Sequence, residues 1–178
     1  GERVSAPMWQ AEFDRTARRF GFNYKLTGFG ERFETQSGYV PRNNIVNAHI
    51  FNRLSFYGAK GATLENFTTF FGPTWIYQYD GFTQSAPIEG KQEVTFQFTL
   101  RGGWNLSAKA SNEFTTFAPE FYDGLETEPG VPFVPPPSLD DLYAGEFSVT
   151  TPTYRLFDAA AKFEFGHTPL YAEGSEGQ

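Results

Sequence analysis

The chain has no cysteine and a single methionine among its 178 residues. Without thiols there is no disulfide scaffold and no thiolate metal site, and the redox compartment is left undecided. Dense basic blocks are also missing: 14 Lys+Arg stand against 21 Asp+Glu, for a net charge of −7 and a pI near 4.8. Polyanions are held by clustered Lys and Arg, so nucleic acid is disfavoured as a partner. No apolar run approaches the roughly 18–20 residues of a transmembrane helix. The opening Gly1-Glu2-Arg3-Val4 offers neither an initiator Met nor a signal-peptide apolar core, which predicts a mature, trimmed or excised piece. Helical periodicity is scarce as well. Asp158-Ala159-Ala160-Ala161-Lys162 has helix-favouring composition, but its neighbours Tyr154–Phe157 and Phe163–Phe165 favour a strand there.

Aromatic residues are plentiful, at 19% with 21 Phe, although the mean hydropathy of −0.44 is that of a hydrophilic chain. Both hold together if apolar and polar residues alternate, which is a strand pattern. It is clearest in Val94-Thr95-Phe96-Gln97-Phe98-Thr99-Leu100-Arg101. Gly102-Gly103 follows, then Trp104-Asn105-Leu106-Ser107-Ala108-Lys109-Ala110-Ser111 repeats the period. Two such runs joined by Gly-Gly predict a β-hairpin with a primed two-residue turn. Phe20, Phe22, Tyr24 and Leu26 form another alternating set. Ala48, Ile50, Leu54 and Phe56 form a third, interrupted by Asn52, and residues 62–71 a further run. Trp75, Tyr77 and Tyr79 share one face of its continuation. Alternation returns at residues 146–150 and 156–165. The expected fold is all-β: an antiparallel up-and-down meander of about eight strands, in one domain spanning residues 1–172.

Residues 119–141 break the pattern. They hold Glu120, Asp123, Glu126, Glu128, Asp140 and Asp141 together with Pro129, Pro132 and Pro135-Pro136-Pro137. Each proline removes a ladder donor, so the segment is expected outside the sheet as an extended acidic loop. The tail 173–178 is expected to be disordered.

Strands of about ten residues, short turns alternating with long polar loops, and aromatic residues near strand ends are features of an outer-membrane β-barrel. Phe20, Phe22, Tyr24, Val94, Phe96, Phe98 and Leu100 are then candidates to face lipid. Trp75, Tyr77, Tyr79 and Trp104 are candidates for the interfacial girdles. A soluble β-sandwich or lipocalin-like barrel shows the same alternation with the apolar face turned inward, so the period does not separate the two. The polar set, among it Asn23, Lys25, Asn47, His49, Arg53, Thr95, Gln97, Thr99, Arg101, Asn105 and Lys109, suits a hydrogen-bonded lumen and weights the reading toward a lipid bilayer.

Two stretches carry a family resemblance. Residues 13–24, Phe-Asp-Arg-Thr-Ala-Arg-Arg-Phe-Gly-Phe-Asn-Tyr, and residues 31–43 resemble part of a large bacterial family of unknown function. Its members pair a domain like family 9 carbohydrate-binding modules with a C-terminal outer-membrane-type β-barrel. The likeness is sharpest at Phe33 and at Gly38-Tyr39-Val40-Pro41-Arg42, and looser over residues 14–121. It implies a barrel region placed in a bacterial outer membrane, with lipid as its medium and other protein chains or glycan as further partners. That family's barrel is longer, the carbohydrate-binding-like domain has no counterpart here, and the chain ends at Gln178 where such barrels usually end on an aromatic residue. These departures imply a fragment, or one chain of a larger assembly.

Catalytic patterns are missing. His49 and His167 are far apart and outside any metal-spacing motif, and there is no G-x-S-x-G elbow. Gly28-Phe29-Gly30 and Gly58-Ala59-Lys60-Gly61 lack the order of a phosphate loop and are expected as turns. The acidic segment has no calcium-binding spacing. Asn66-Phe67-Thr68 and Asn105-Leu106-Ser107 match glycosylation sequons but fall on expected strands. No catalytic, cofactor or metal residue is assigned. The expectation is a non-enzymatic, porin-like or surface-assembly protein of the outer membrane; the alternative is a soluble β-sandwich or barrel binding a ligand or glycan through an aromatic-rich core.

Overall fold

The computed structural model describes residues 6–33, 42–117, 124–134, 137–169 and 176–177. Eight antiparallel strands form one sheet: β1 (Met8–Arg15), β2 (Phe20–Phe29), β3 (Ile45–Tyr57), β4 (Leu64–Gln78), β5 (Glu89–Leu100), β6 (Trp104–Thr116), β9 (Ser138–Thr150) and β10 (Ala160–Gly166). Each pairs with its neighbours in chain order, so the sheet is a meander. The connection from β6 to β9 carries a separate hairpin of β7 (Glu126–Glu128) and β8 (Val131–Pro132). Two-residue β11 (Thr168–Pro169) and β12 (Glu176–Gly177) pair with each other.

The meander of about eight strands is as expected, but the sheet does not close into a barrel. Its order begins at β1 and ends at β10, and these edges do not pair with each other among the described residues. Connections at one end, residues 16–19, 58–63, 101–103 and 151–159, have four, six, three and nine residues. Those at the other end, 30–44, 79–88 and 117–137, are longer, with 15, 10 and 21. At the short end Arg53 donates to the Ala17 carbonyl, Tyr57 to the Arg18 carbonyl (3.1 Å) and Arg101 to the Gly61 carbonyl (3.0 Å). Side chains of neighbouring strands thus pin the turns beside them.

Several boundaries differ from expectation. Leu100 pairs with Trp104, so the turn between β5 and β6 has three residues, with φ 92° at Gly102, φ 88° at Gly103 and the Gly103 N–H bonded to the Leu100 carbonyl (3.1 Å). Tyr79 lies past the end of β4, its N–H bonded to the Asn44 carbonyl (2.9 Å). The last long strand starts at Ala160; before it, Tyr154 N–H reaches the Phe157 carbonyl (2.8 Å) in a turn that leaves Leu156 90% exposed. β1, Met8–Arg15, is a strand that no alternating run in the sequence predicts. The acidic segment is not simply extended. Its described part folds as the β7–β8 hairpin, with Gly130 N–H on Glu126 Oε2 (2.8 Å), and its last residues belong to β9. Pro132 fits there because a strand paired on one side only can spare an N–H. Glu120 and Asp123 lie outside the described residues. In the tail, expected without structure, Glu176–Gly177 pairs with Thr168–Pro169.

Among the described residues no second layer of strands or helices covers the sheet. The accessible surface is 12589 Å², whereas a compact monomer of 20.1 kDa exposes about 8,700 Å². Buried apolar side chains gather near the long-loop end. Val46, fully buried, sits between Gly28 and Tyr77 in the ladder. Phe117, Leu139 and Leu142 form a small cluster. A bulge in β9, with Asp141 at φ 57°, places Leu139 and Leu142 opposite Thr115 and Glu113, on one face.

Candidate functional site

Directly paired residues of an antiparallel sheet share a face, so the register assigns every strand residue to one side. One face is apolar across all eight strands. From β1 and β2 it takes Trp9, Phe13, Phe20, Phe22, Tyr24 and Leu26; from β3 and β4, Ile50, Leu54, Phe56, Phe67, Phe71, Trp75 and Tyr77. From β5 to β10 it takes Val94, Phe96, Phe98, Leu100, Trp104, Leu106, Phe114, Phe147, Val149, Phe163 and Phe165. The structure thus brings every expected lipid-facing or girdle residue onto this face except Tyr79.

The rings meet in ladders. Centroids are 5.1 Å apart for Phe13–Phe22, 4.8 Å for Phe22–Tyr24, 5.9 Å for Phe56–Phe67, 6.2 Å for Phe67–Phe96 and 5.0 Å for Phe67–Phe98. Such pairs contribute beyond their area. Three glycines on this face lie under aromatic neighbours: Gly28 under Trp9, Gly90 under Phe114 and Trp75, Gly145 under Phe165. A Cβ at any of them would collide with the ring. Despite this packing, Phe13, Phe56, Phe147, Phe163 and Phe165 remain exposed.

Polar residues on the apolar face are few; they include Arg15, opposite Phe22 at the short-turn end of β1, and Thr69 beside Phe96. Asn52 is satisfied locally, accepting from Tyr24 Oη (2.9 Å) and donating to the Phe71 carbonyl (3.3 Å). Gln92 and Asn112 face each other across β5 and β6, beside a cleft of about 550 Å³ lined by Phe71, Pro73, Trp75 and Tyr143.

The opposite face is polar and ion-paired. Lys91 Nζ lies 2.6 Å from Glu113 and 3.5 Å from Glu93. Lys109 is 2.8 Å from Glu93, and Lys162 is 3.2 Å from Glu146 and 2.7 Å from Glu164. Lys91 faces Glu113 across β5 and β6, and Lys109 faces Glu146 across β6 and β9, whereas Glu146 and Glu164 are opposed across β9 and β10 with Lys162 reaching both. Asn23 Nδ2 donates to Glu12 (2.6 Å), His49 Nδ1 meets Thr74 Oγ1 (2.9 Å), and Thr68 donates to Ser55 (3.1 Å). Ser55, Thr68 and Ser111 are buried on this face. A cleft of about 320 Å³ on this side is lined by His49, Phe51, Phe70, Thr74, Lys91 and Glu93.

Lys91, Glu93, Glu113, Glu146, Lys162 and Glu164 were not singled out from the sequence. The signal was there in Lys91-Gln92-Glu93 and Lys162-Phe163-Glu164, whose charges two residues apart must share a face. Both sequon asparagines lie on strands, Asn66 in β4 and Asn105 in β6. Among the described residues no group of His, Asp and Glu gathers as a metal ion requires, and no helix is long and apolar enough to cross a membrane. Of the residues that carry the family resemblance most sharply, residues 38–41 lie outside those described. Comparison with protein-family models, curated proteins and solved structures finds no match.

Proposed function

We propose that the sheet is wall of an outer-membrane-type β-barrel, its apolar face toward lipid and its ion-paired face toward the lumen. It would serve a bacterial outer membrane as a structural, pore-forming or surface-assembly component, and not as an enzyme. The observation that carries the reading is the height of the apolar face. Trp75 pairs with Gly90 near the long-loop end, and Trp104 pairs with Leu100 at the short-turn end. Ten steps along β5 at about 3.3 Å each, tilted by about 40°, span about 25 Å along the normal, which is the height of the lipid-facing band of such barrels. Tryptophan therefore stands at both expected interfaces with phenylalanine between.

The asymmetry of the connections supports the same reading, since these barrels have short turns at one rim and long loops at the other. A non-enzymatic role is supported by the polar face, where Lys91, Lys109 and Lys162 engage Glu93, Glu113, Glu146 and Glu164. The resemblance at Phe33 and residues 38–42 agrees with this placement.

Extraction from membranes tests it. Folded protein should need detergent, and should migrate differently on a gel before and after boiling. A protein that stays in aqueous solution without detergent and shows no heat-dependent migration would transfer the assignment to a soluble β-protein that binds a ligand or glycan through its aromatic face.

A further inference from the structure

The outer edges of β1 and β10 have no strand partner among the described residues, and in hydrocarbon every backbone N–H and C=O needs a partner. We infer that β1 closes onto β10 of the same chain, offset along the strands by about 8–12 residues, and that this pairing draws residues 155–159 into β10. The inference rests on the barrel reading.

The ladders supply the starting register. Moving straight across the sheet, Arg15 pairs with Phe22, Phe22 with Asn52, Asn52 with Phe71, Phe71 with Val94, Val94 with Ala110, Ala110 with Gly145 and Gly145 with Phe165. A cylinder of eight strands tilted by about 35–45°, with a rise of about 3.3 Å and a spacing of about 4.8 Å, closes only with a stagger of about 8–12 residues. The stagger must be even, or the apolar and polar faces would not match at the seam. One direction sets Arg15 opposite a residue between 153 and 157. The other sets it between 173 and 177, where Glu176–Gly177 already pairs with Thr168–Pro169. The first direction remains.

That register needs a longer β10 than the open sheet has, and the segment before Ala160 is prepared for it. The Thr151 N–H bonds the Ala159 carbonyl (2.9 Å), and the Ala159 N–H bonds Thr151 Oγ1 (2.9 Å), one step beyond the Thr150–Ala160 pair. Parity puts Ala159 and Phe157 on the apolar face with Phe163 and Phe165, opposite Trp9, Ala11 and Phe13. Leu156 and Phe157 are exposed in the open sheet. Eight is also an even number, so β1 and β10 meet antiparallel like every other pair.

Because the chain has no cysteine, paired substitutions report without background. Opposed Cα atoms lie about 4.5–5.5 Å apart, within disulfide range. Ala11→Cys would be combined with Ala161→Cys, Ala159→Cys or Phe157→Cys for staggers of 8, 10 and 12, and Ser107→Cys with Ser148→Cys as the control, since those two are paired in β6 and β9. After oxidation in detergent micelles, one of the three test pairs should crosslink within the monomer as fully as the control, with at least several-fold less in the other two. Amides 155–159 should also be protected from hydrogen exchange in that variant. A product of dimer mass alone would make a second copy the edge partner and overturn the inference. So would a crosslinked control with no crosslink in any test pair, and so would a control that fails, since the register would then be wrong. Protein that crosslinks within the monomer yet needs no detergent leaves closure standing and removes the bilayer instead.

Discussion

At the scale of single residues, side chains one position apart on the same strand face opposite media. Phe96 lies midway between the levels of Trp75 and Trp104, in line with Thr69 and Ala108, while its neighbour Gln97 lies on the other face between Thr68 and Ser107. Phe96→Arg should therefore destabilise the protein in vesicles by about 2–4 kcal/mol, the cost of a guanidinium near the midplane, whereas Gln97→Arg should be near neutral. Denaturant unfolding of both variants measures the difference, and equal losses would argue that both faces are solvated or both buried. On the polar face Glu146 and Glu164 stand directly opposite each other, held together by Lys162 between them. Like charges at opposed positions repel. Lys162→Gln should lower stability, salt should recover part of the loss, and adding Glu164→Gln should recover more. If the double variant is no more stable than the single one, the lysine acts through packing and not through charge.

Elements were legible where contrast between faces was strong. Val94-Thr95-Phe96-Gln97-Phe98 announces β5 because large apolar and polar side chains alternate without interruption, and β2, β3, β4 and β6 were readable for the same reason. What escaped were features fixed by partners and not by a segment's own side chains. β1 has Ala11 where a larger residue would have marked the period. β10 starts at Ala160 because Thr150 is the last β9 residue to pair with it. The cross-strand ion pairs depend on register, which turn lengths set: a two-residue turn in place of residues 101–103 would have moved Lys91 away from Glu113. In the acidic segment the described residues before Ser138 stay out of the main sheet, as the prolines predict, while Ser138–Asp141 join β9 and Leu125, Val131 and Phe133 sit in a hairpin with a Phe133 N–H to Leu125 carbonyl bond (2.8 Å). That hairpin has two-residue to three-residue strands, and Leu125, Val131 and Val134 are exposed on it. So few ladder bonds hold little against opening, and limited proteolysis should cut within residues 117–137 before it cuts at 101–103. First cuts at the Gly102–Gly103 turn, found by mass spectrometry of the fragments, would show that the acidic segment is the better protected of the two.

At the scale of the whole molecule the question is which medium meets the apolar face, and the chain carries its own reporters. Its three tryptophans, Trp9, Trp75 and Trp104, all lie on that face, the first two toward the long-loop end and the third at the short-turn end. In a bilayer they would occupy the two interfaces, where an indole keeps its ring in the apolar zone and its N–H near water. Tryptophan emission should then be quenched by lipids brominated along their acyl chains, most strongly when the bromines lie close to the headgroups and less as they move toward the chain ends, because no indole sits at the midplane. Replacing Trp104 by Phe should leave the quenching by one leaflet and weaken that by the other when only one leaflet carries brominated lipid, since Trp9 and Trp75 share the opposite rim. A soluble protein with the same sheet folded against a partner layer would show no bromine quenching at any depth. Strongest quenching from bromines at the chain ends would place the aromatic rows in the wrong part of the bilayer, and with them the 25 Å height on which the barrel assignment stands.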